Sequence, residues 1–186
     1  MNIGFAMCGS FCTYAAVFPV MEELAKKHNI IPIFSPVSHT TDSRFGTCKD
    51  HIQRANEICA KSPLHTIAEV EPIGPKKLLD ALIIAPCTGN TLAKLAHSIA
   101  DTSVTMAVKS HLRNGRPVLI AVSTNDALGG AAENIGRLLG RKHYYFVPYR
   151  QDDPIGKPTS MVADFSKIPQ ALDAALAGYQ MQPMLL

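Results

Sequence analysis

Four short apolar runs in this chain each end in a cluster of small hydroxyl or amide residues, and those clusters are where its chemistry is expected. They read Cys8-Gly9-Ser10-Phe11-Cys12-Thr13, Ser35-Pro36-Val37-Ser38, Pro86-Cys87-Thr88-Gly89-Asn90-Thr91 and Ser123-Thr124-Asn125-Asp126. Hydroxyls and backbone N–H groups at the start of a helix bind a phosphate without a lysine, because free donors and the helix dipole already favour an anion. One such cluster alone reads as an ordinary helix cap, since Ser, Thr and Asn are the residues that cap helices. Four of them at strand ends point instead to a phosphate-bearing ligand.

The loop after the first run is not G-x-G-x-x-G, and G-x-x-x-x-G-K-[ST] occurs nowhere. Direct NAD binding in the Rossmann manner and P-loop hydrolysis are therefore disfavoured. A mononucleotide such as FMN fits better, its one phosphate held by the tips and its ring lying in the crevice. Five cysteines make an odd count with no C-x-x-C pair, so neither a disulfide framework nor a zinc ribbon is written here. Cys8, Cys12 and Cys87 could converge at the strand ends; buried cysteine ordinarily behaves as a small hydrophobe, and no metal site is expected. Asp126 at a helix start reads as a first-turn carboxylate stabilising the dipole.

The elements that must carry these tips are legible in the apolar pattern. Residues 3–7, 30–34, 82–85 and 118–122 are continuous rather than alternating, as strands buried on both faces should be. Helical spacing covers about 13–27, 48–60, 90–112 and 125–139. A fifth strand is expected near 144–147 and a closing helix over 164–177. Repeated alternation of strand and helix implies right-handed βαβ units, hence a doubly wound parallel sheet in a three-layer α/β sandwich of the flavodoxin-like, Rossmann-type kind. The 186 residues are read as a single domain. Residues 148–158 are expected to form a long polar loop.

Composition narrows the function. The 47% hydrophobic and 18% charged fractions are apolar enough to suggest a face covered by another protein chain. The net charge of +3 is dispersed, with only 6% aromatic residues, which argues against nucleic-acid binding. No apolar run approaches the ~18 residues of a membrane span, and the first residues lack a basic signal-peptide n-region, so a cytoplasmic protein with no membrane contact is expected.

The stretch Ala85-Pro86-Cys87-Thr88-Gly89-Asn90-Thr91-Leu92-Ala93-Lys94 resembles the P-A-S-A-N-T-x-A-K signature of the flavoprotein superfamily that includes the flavin-dependent cysteine decarboxylases, and Ser123-Thr124-Asn125-Asp126 stands where that superfamily has P-x-M-N. Thr41 to Gly46, Glu71 to Lys76 and the segment from Val147 through Lys157-Pro158 resemble the B-subunit family of dipicolinate synthases. The resemblance implies FMN contacts from Gly9, Ser10, Ser35, Pro86, Thr88, Asn90 and Thr91, with Ser123, Thr124 and Asn125 beside the ring or substrate. Cys87 and Gly89 replace the signature's two alanines. The decarboxylases close their site with a cysteine-bearing clasp; residues 149–161 here contain no cysteine, so cysteinyl decarboxylation is not expected.

What the family implies instead is an oxidoreductase subunit that converts dihydrodipicolinate to dipicolinate with NAD(P) during sporulation, in the mother cell. The partner, the A subunit of dipicolinate synthase, would carry NADP, and the superfamily tends to homo-oligomers. A flat dianion calls for cations, and Arg44, His39 and Lys157 are the candidates for substrate binding. The catalytic base is unassigned. His97 and His111 are expected to pack or to face an interface. The alternatives are an FMN-dependent decarboxylase of another carboxylate and a non-catalytic assembly subunit.

Overall fold

The structure, a computed structural model, describes residues 1–186. Its strands are β1 (Asn2–Met7), β2 (Asn29–Phe34), β3 (Ala81–Cys87), β4 (Val118–Thr124), β5 (Tyr144–Phe146), β6 (Tyr149–Arg150) and β7 (Met161–Ala163). The helices are α1 (Tyr14–Ala25), α2 (Pro36–Thr40), α3 (Cys48–Cys59), α4 (Ile67–Val70), α5 (Gly89–Ala96), α6 (Ser103–Leu112), α7 (Ala132–Leu139) and α8 (Ile168–Leu176). Strands β2, β1, β3, β4 and β5 run parallel in that spatial order, a flavodoxin-like arrangement whose order reverses beside β1.

All of β3 and six of the seven residues of β4 are buried, which is why these strands read as unbroken apolar runs. Helices α1 and α8 cover one face of the sheet, with α3 against α1; α5, α6 and α7 cover the other. No helix is long and apolar enough to cross a membrane.

Three expectations are corrected. The single helix over 90–112 is two: α5 ends at Ala96 with His97 as its C-cap, Ser98 takes φ +60, and Thr102 opens α6 with a reciprocal capping box to Thr105. The helix over 125–139 begins only at Ala132. Residues 125–131 form turns in which the Asp126 carbonyl accepts from the N–H groups of Gly129 and Ala131, so Asp126 is not a first-turn carboxylate of α7. The expected loop over 148–158 contains β6, which pairs antiparallel with β7; β7 in turn pairs antiparallel with β4 at Ser123 and Thr124. Residues 151–160 form the tip of this hairpin, with Ile155 96% exposed at its end.

Candidate functional site

A cleft of ≈390 Å³ opens beyond the carboxyl ends of β1, β3 and β4. Gly9, Ser10, Phe11, Cys12 and Thr13 line it from the loop after β1, Thr88 from the tip of β3, and Ser123, Thr124 and Asn125 from the tip of β4. Ser43, Arg44 and Phe45 supply another wall, and Asp152, Lys157, Ser160, Met161 and Val162 of the hairpin supply the rest. The structure thus brings together six of the ten residues expected at a phosphate or flavin, and two of the three expected at a substrate.

The tips are tied to one another by short bonds. Ser10 Oγ and Ser123 Oγ stand 2.8 Å apart across the floor of the cleft. The Cys8 N–H donates to the Pro86 carbonyl (3.2 Å), and the Ser35 N–H to the Met7 carbonyl (3.0 Å). Thr88 caps α5, its hydroxyl accepting from the Thr91 N–H, and Ser35 caps α2 by accepting from the Ser38 N–H. Pro86 lacks an N–H and lies between Ile84 and Cys87, where the β3–β4 register shifts.

Below the lining lies a buried polar layer that supports it. The Thr91 hydroxyl donates to Cys8 Sγ at 3.3 Å. The Tyr14 hydroxyl lies 2.9 Å from Ser38 Oγ and 3.1 Å from the Cys8 carbonyl, while Ser38 Oγ donates to the Met7 carbonyl at 3.0 Å. Burial pushes the Cys8 thiol up to about 11 and also raises Cys87 and Tyr14, so these groups are neutral supports rather than acids or bases. Cys12, by contrast, is exposed.

Asn90 is exposed and Thr91, Ser35 and Pro86 are buried, none of them on the cleft wall. His39 is also absent from it. Its ring stacks on His65 with centroids 3.7 Å apart and planes within 4°, and burial followed by the His65 charge lowers its pKa. The expectation of a substrate contact from His39 therefore has no geometric support. Arg44 lies 4.8 Å over the Phe45 ring at the cleft edge. Lys157 Nζ stands 3.4 Å from Asp152 Oδ2, and hydrogen bonding by Ser160 holds the Asp152 carboxyl below the usual range.

Gly89 has a specific reason to replace the signature's alanine. A Cβ at this position would fall 2.7 Å from Thr124 Oγ1 and 2.8 Å from Asp126 Oδ1. The Thr124 hydroxyl donates to the Asp126 carboxylate, and the pair fills the methyl's space against the first turn of α5. His111 is fully buried, its Nε2 3.1 Å from the Pro117 carbonyl; His97 is exposed and meets Arg137. A separate cavity of ≈420 Å³, lined by Leu95, Ile99, Val108, Leu112 and Tyr144 with Lys109 and Lys142, collects no strand-tip residue.

A parallel sheet in this order, with hydroxyl-bearing tips around one crevice, defines the flavodoxin-like class of fold, and the chain belongs to the Flavoprotein family, whose pattern matches residues 1–136. It is 42% identical to the B subunit of dipicolinate synthase from Bacillus subtilis (strain 168) over all 186 residues, spanning 93% of that protein. The crystal structure of the dipicolinate synthase B subunit from Bacillus halodurans C is similar with a TM-score of 0.91 and 41% identity, covering 100% of this chain and 95% of that one. The FMN-dependent cysteine decarboxylase SpaF shares the fold at a TM-score of 0.71 and 23% identity, over 94% of this chain and 97% of that one.

Proposed function

We propose that this chain is the component of a dipicolinate synthase that holds dihydrodipicolinate next to an FMN, and that it works with the dinucleotide-binding A subunit in NAD(P)-linked oxidation to dipicolinate during sporulation. The observation that carries the reading is the cleft itself. Hydroxyls from three strand tips lie on its floor, and two cations, Arg44 and Lys157, stand on separate walls. Identity of 42% along the whole chain to a dipicolinate synthase B subunit supports the same substrate class.

The residues present fit a flavin mononucleotide. The bond between Ser10 and Ser123 uses one of their two hydroxyl protons and leaves the other to donate to a phosphate oxygen, and Thr88 opens α5, where the helix dipole favours an anion. Phe11, Met161 and Val162 offer apolar surface to a planar ring. When bound, a flavin supplies a two-electron acceptor able to pass a hydride between a dihydro ring and a nicotinamide.

The chain's own residues bind and orient the substrate. Arg44, free of any acidic partner, takes one carboxylate, and its planar fork sets the plane of the bound ring. Lys157 takes the other, steadied by Asp152. Asp152 itself is a poor base at neutral pH because its carboxyl is held acidic. The hairpin supplies one wall of the cleft through Asp152, Lys157, Ser160, Met161 and Val162. NADP is carried by the partner, and the chain forms a homo-oligomer through exposed apolar side chains such as Ile99 and Leu128.

The test is a visible spectrum of the purified chain before and after adding FMN and dialysing, followed by an assay of both subunits with dihydrodipicolinate and NADP. Retained flavin, and dipicolinate formed only when both subunits are present, is the expected result. Activity of the dinucleotide-binding partner on its own, unchanged by this chain, overturns the catalytic reading. It would favour an assembly role in which flavin has been given up, a second reading motivated by the Asp126 carboxylate near the first turn of α5.

A further inference from the structure

His51 takes no part in the arrangement above, yet it lies between two of its walls. It sits on α3, 6% exposed. Its ring packs against Tyr14 (centroids 4.7 Å), Phe11 (6.0 Å, stacked at 16°) and Phe18 (6.2 Å). Nε2 faces the Phe45 carbonyl at 3.4 Å, and Nδ1 is buried with no hydrogen-bond partner.

The same imidazole fills the space beneath Gly46. A Cβ there would stand 2.8 Å from His51 Nε2, and the residue has φ +129, so the chain settles on the ring only as glycine. Gly46 closes a tight turn with Ser43 through two backbone bonds of 3.0 and 3.2 Å. The turn is held on its far side by the Asp42 carboxylate, which accepts from the Cys48 N–H at 2.8 Å, and by the Thr47–Asp50 capping box at the start of α3. Ser43, Arg44 and Phe45 are the residues that this turn presents to the cleft, and Phe11 is presented by the loop after β1. One side chain therefore joins two cleft-lining loops that are distant in sequence.

An unpaired buried nitrogen is costly, and an aromatic ring without nitrogens would fill this space and avoid that cost. What histidine adds is the N–H directed at Phe45. The geometry points to His51 as a positioning residue that fixes the Arg44-bearing turn against the loop after β1, and so sets the affinity of the cleft for a dicarboxylate. His51 reaches the ligand only through the Phe45 carbonyl and Gly46. The inference rests on the reading of Arg44 as a carboxylate clamp.

The experiment is calorimetric titration of the full-length chain with dipicolinate, alongside FMN retention and thermal unfolding of every variant. His51→Phe keeps a ring among Phe11, Tyr14 and Phe18 and removes the donor; dipicolinate binding is expected to weaken by about fivefold, the worth of one hydrogen bond. His51→Gln, whose amide reaches Phe45, restores most of the affinity, while His51→Asn, which is too short, does not; this pair carries the test if the phenylalanine variant unfolds. In an Arg44→Gln background the same changes at His51 have no further effect, because they act through Arg44.

Equal losses with and without Arg44, or a parallel loss of FMN retention, would mean general loosening and overturn the assignment. So would a His51→Phe or His51→Asn chain with native affinity. A wild-type chain that binds no dipicolinate, with or without FMN, removes the clamp reading and this inference with it, an outcome visible before any variant is made.

Discussion

Acidification should destabilise this protein through one residue in particular. His111 lies in the last turn of α6, is fully buried, and holds the carbonyl of Pro117, the residue that leads into β4. Burial, reinforced by the Arg116 charge and opposed by the Pro117 bond and Asp80, pushes its pKa down to about 4. The unfolded chain binds that proton at about pH 6.5. Because the folded value is the lower of the two, the stabilisation is complete above about pH 6.5 and is lost progressively as the pH falls toward 4.

A shift of this size, at ~1.36 kcal/mol per pKa unit, corresponds to ~3 kcal/mol once both states are protonated and ~2 kcal/mol at pH 5. With a urea dependence in the usual range, that moves the unfolding midpoint by roughly 1 M between pH 8 and pH 5. His111→Gln keeps an amide donor for Pro117 and removes the titration. Urea unfolding of both proteins, followed by circular dichroism at pH 8, 6.5 and 5, should show the variant losing ~2 kcal/mol less than the wild type. Parallel decline of the two would show that His111 is solvated or already charged in the folded state, and would refute the argument.

Two further outcomes follow from the candidate site. Gly89→Ala should separate Asp126 from Thr124 and cost ~1 kcal/mol, the value of the bond lost, and in an Asp126→Ala background, where that bond is already gone, the same change should cost less; strict additivity in a double-mutant cycle by thermal unfolding would contradict the shared space. Alkylation followed by mass spectrometry should label exposed Cys12 in the folded protein and leave Cys8 and Cys87 protected until global unfolding, since both are buried and their thiols are held protonated; native-state labelling of Cys87 at the rate of Cys12 would show that the tip of β3 is open.

The parts of this molecule that were legible in advance are those set by local chemistry. Continuous apolar runs revealed β1 to β4 because strands buried on both faces admit nothing else, and the hydroxyl clusters after β1, β3 and β4 marked the cleft because parallel strands must deliver their carboxyl ends to one side. The break after α5 was less visible, since Leu92 through Leu112 keeps an apolar stripe across the junction; the Thr102-x-x-Thr105 cap was the available signal.

Long-range relations escaped. His39 shares a loop with Arg44 in sequence but was drawn to His65, a partner nothing local announces. The supporting roles of Ser38, Tyr14 and His51 depend on contacts between separate elements; Tyr14 and Ser38, for instance, are 24 residues apart. The two-residue strand β6 is too short to show a period. The Gly89 substitution was visible as a departure, but its cause, the Thr124–Asp126 pair, lies 35 and 37 residues onward.

The forked pairing of β4 has a consequence beyond the cleft. Its lower half is bonded to β5 at Val118, Leu119 and Ile120, while its upper half is bonded to β7 at Ser123 and Thr124. A strand whose neighbour stops short leaves unpaired amides and carbonyls that invite another chain to add itself. The β6–β7 hairpin is therefore also a guard on the sheet: swung aside, it would bare a sticky margin made of the same residues that line the cleft. Only two paired residues on each side, Ser123 with Val162 and Thr124 with Met161, keep that margin covered, so the protection rests on a very short strand.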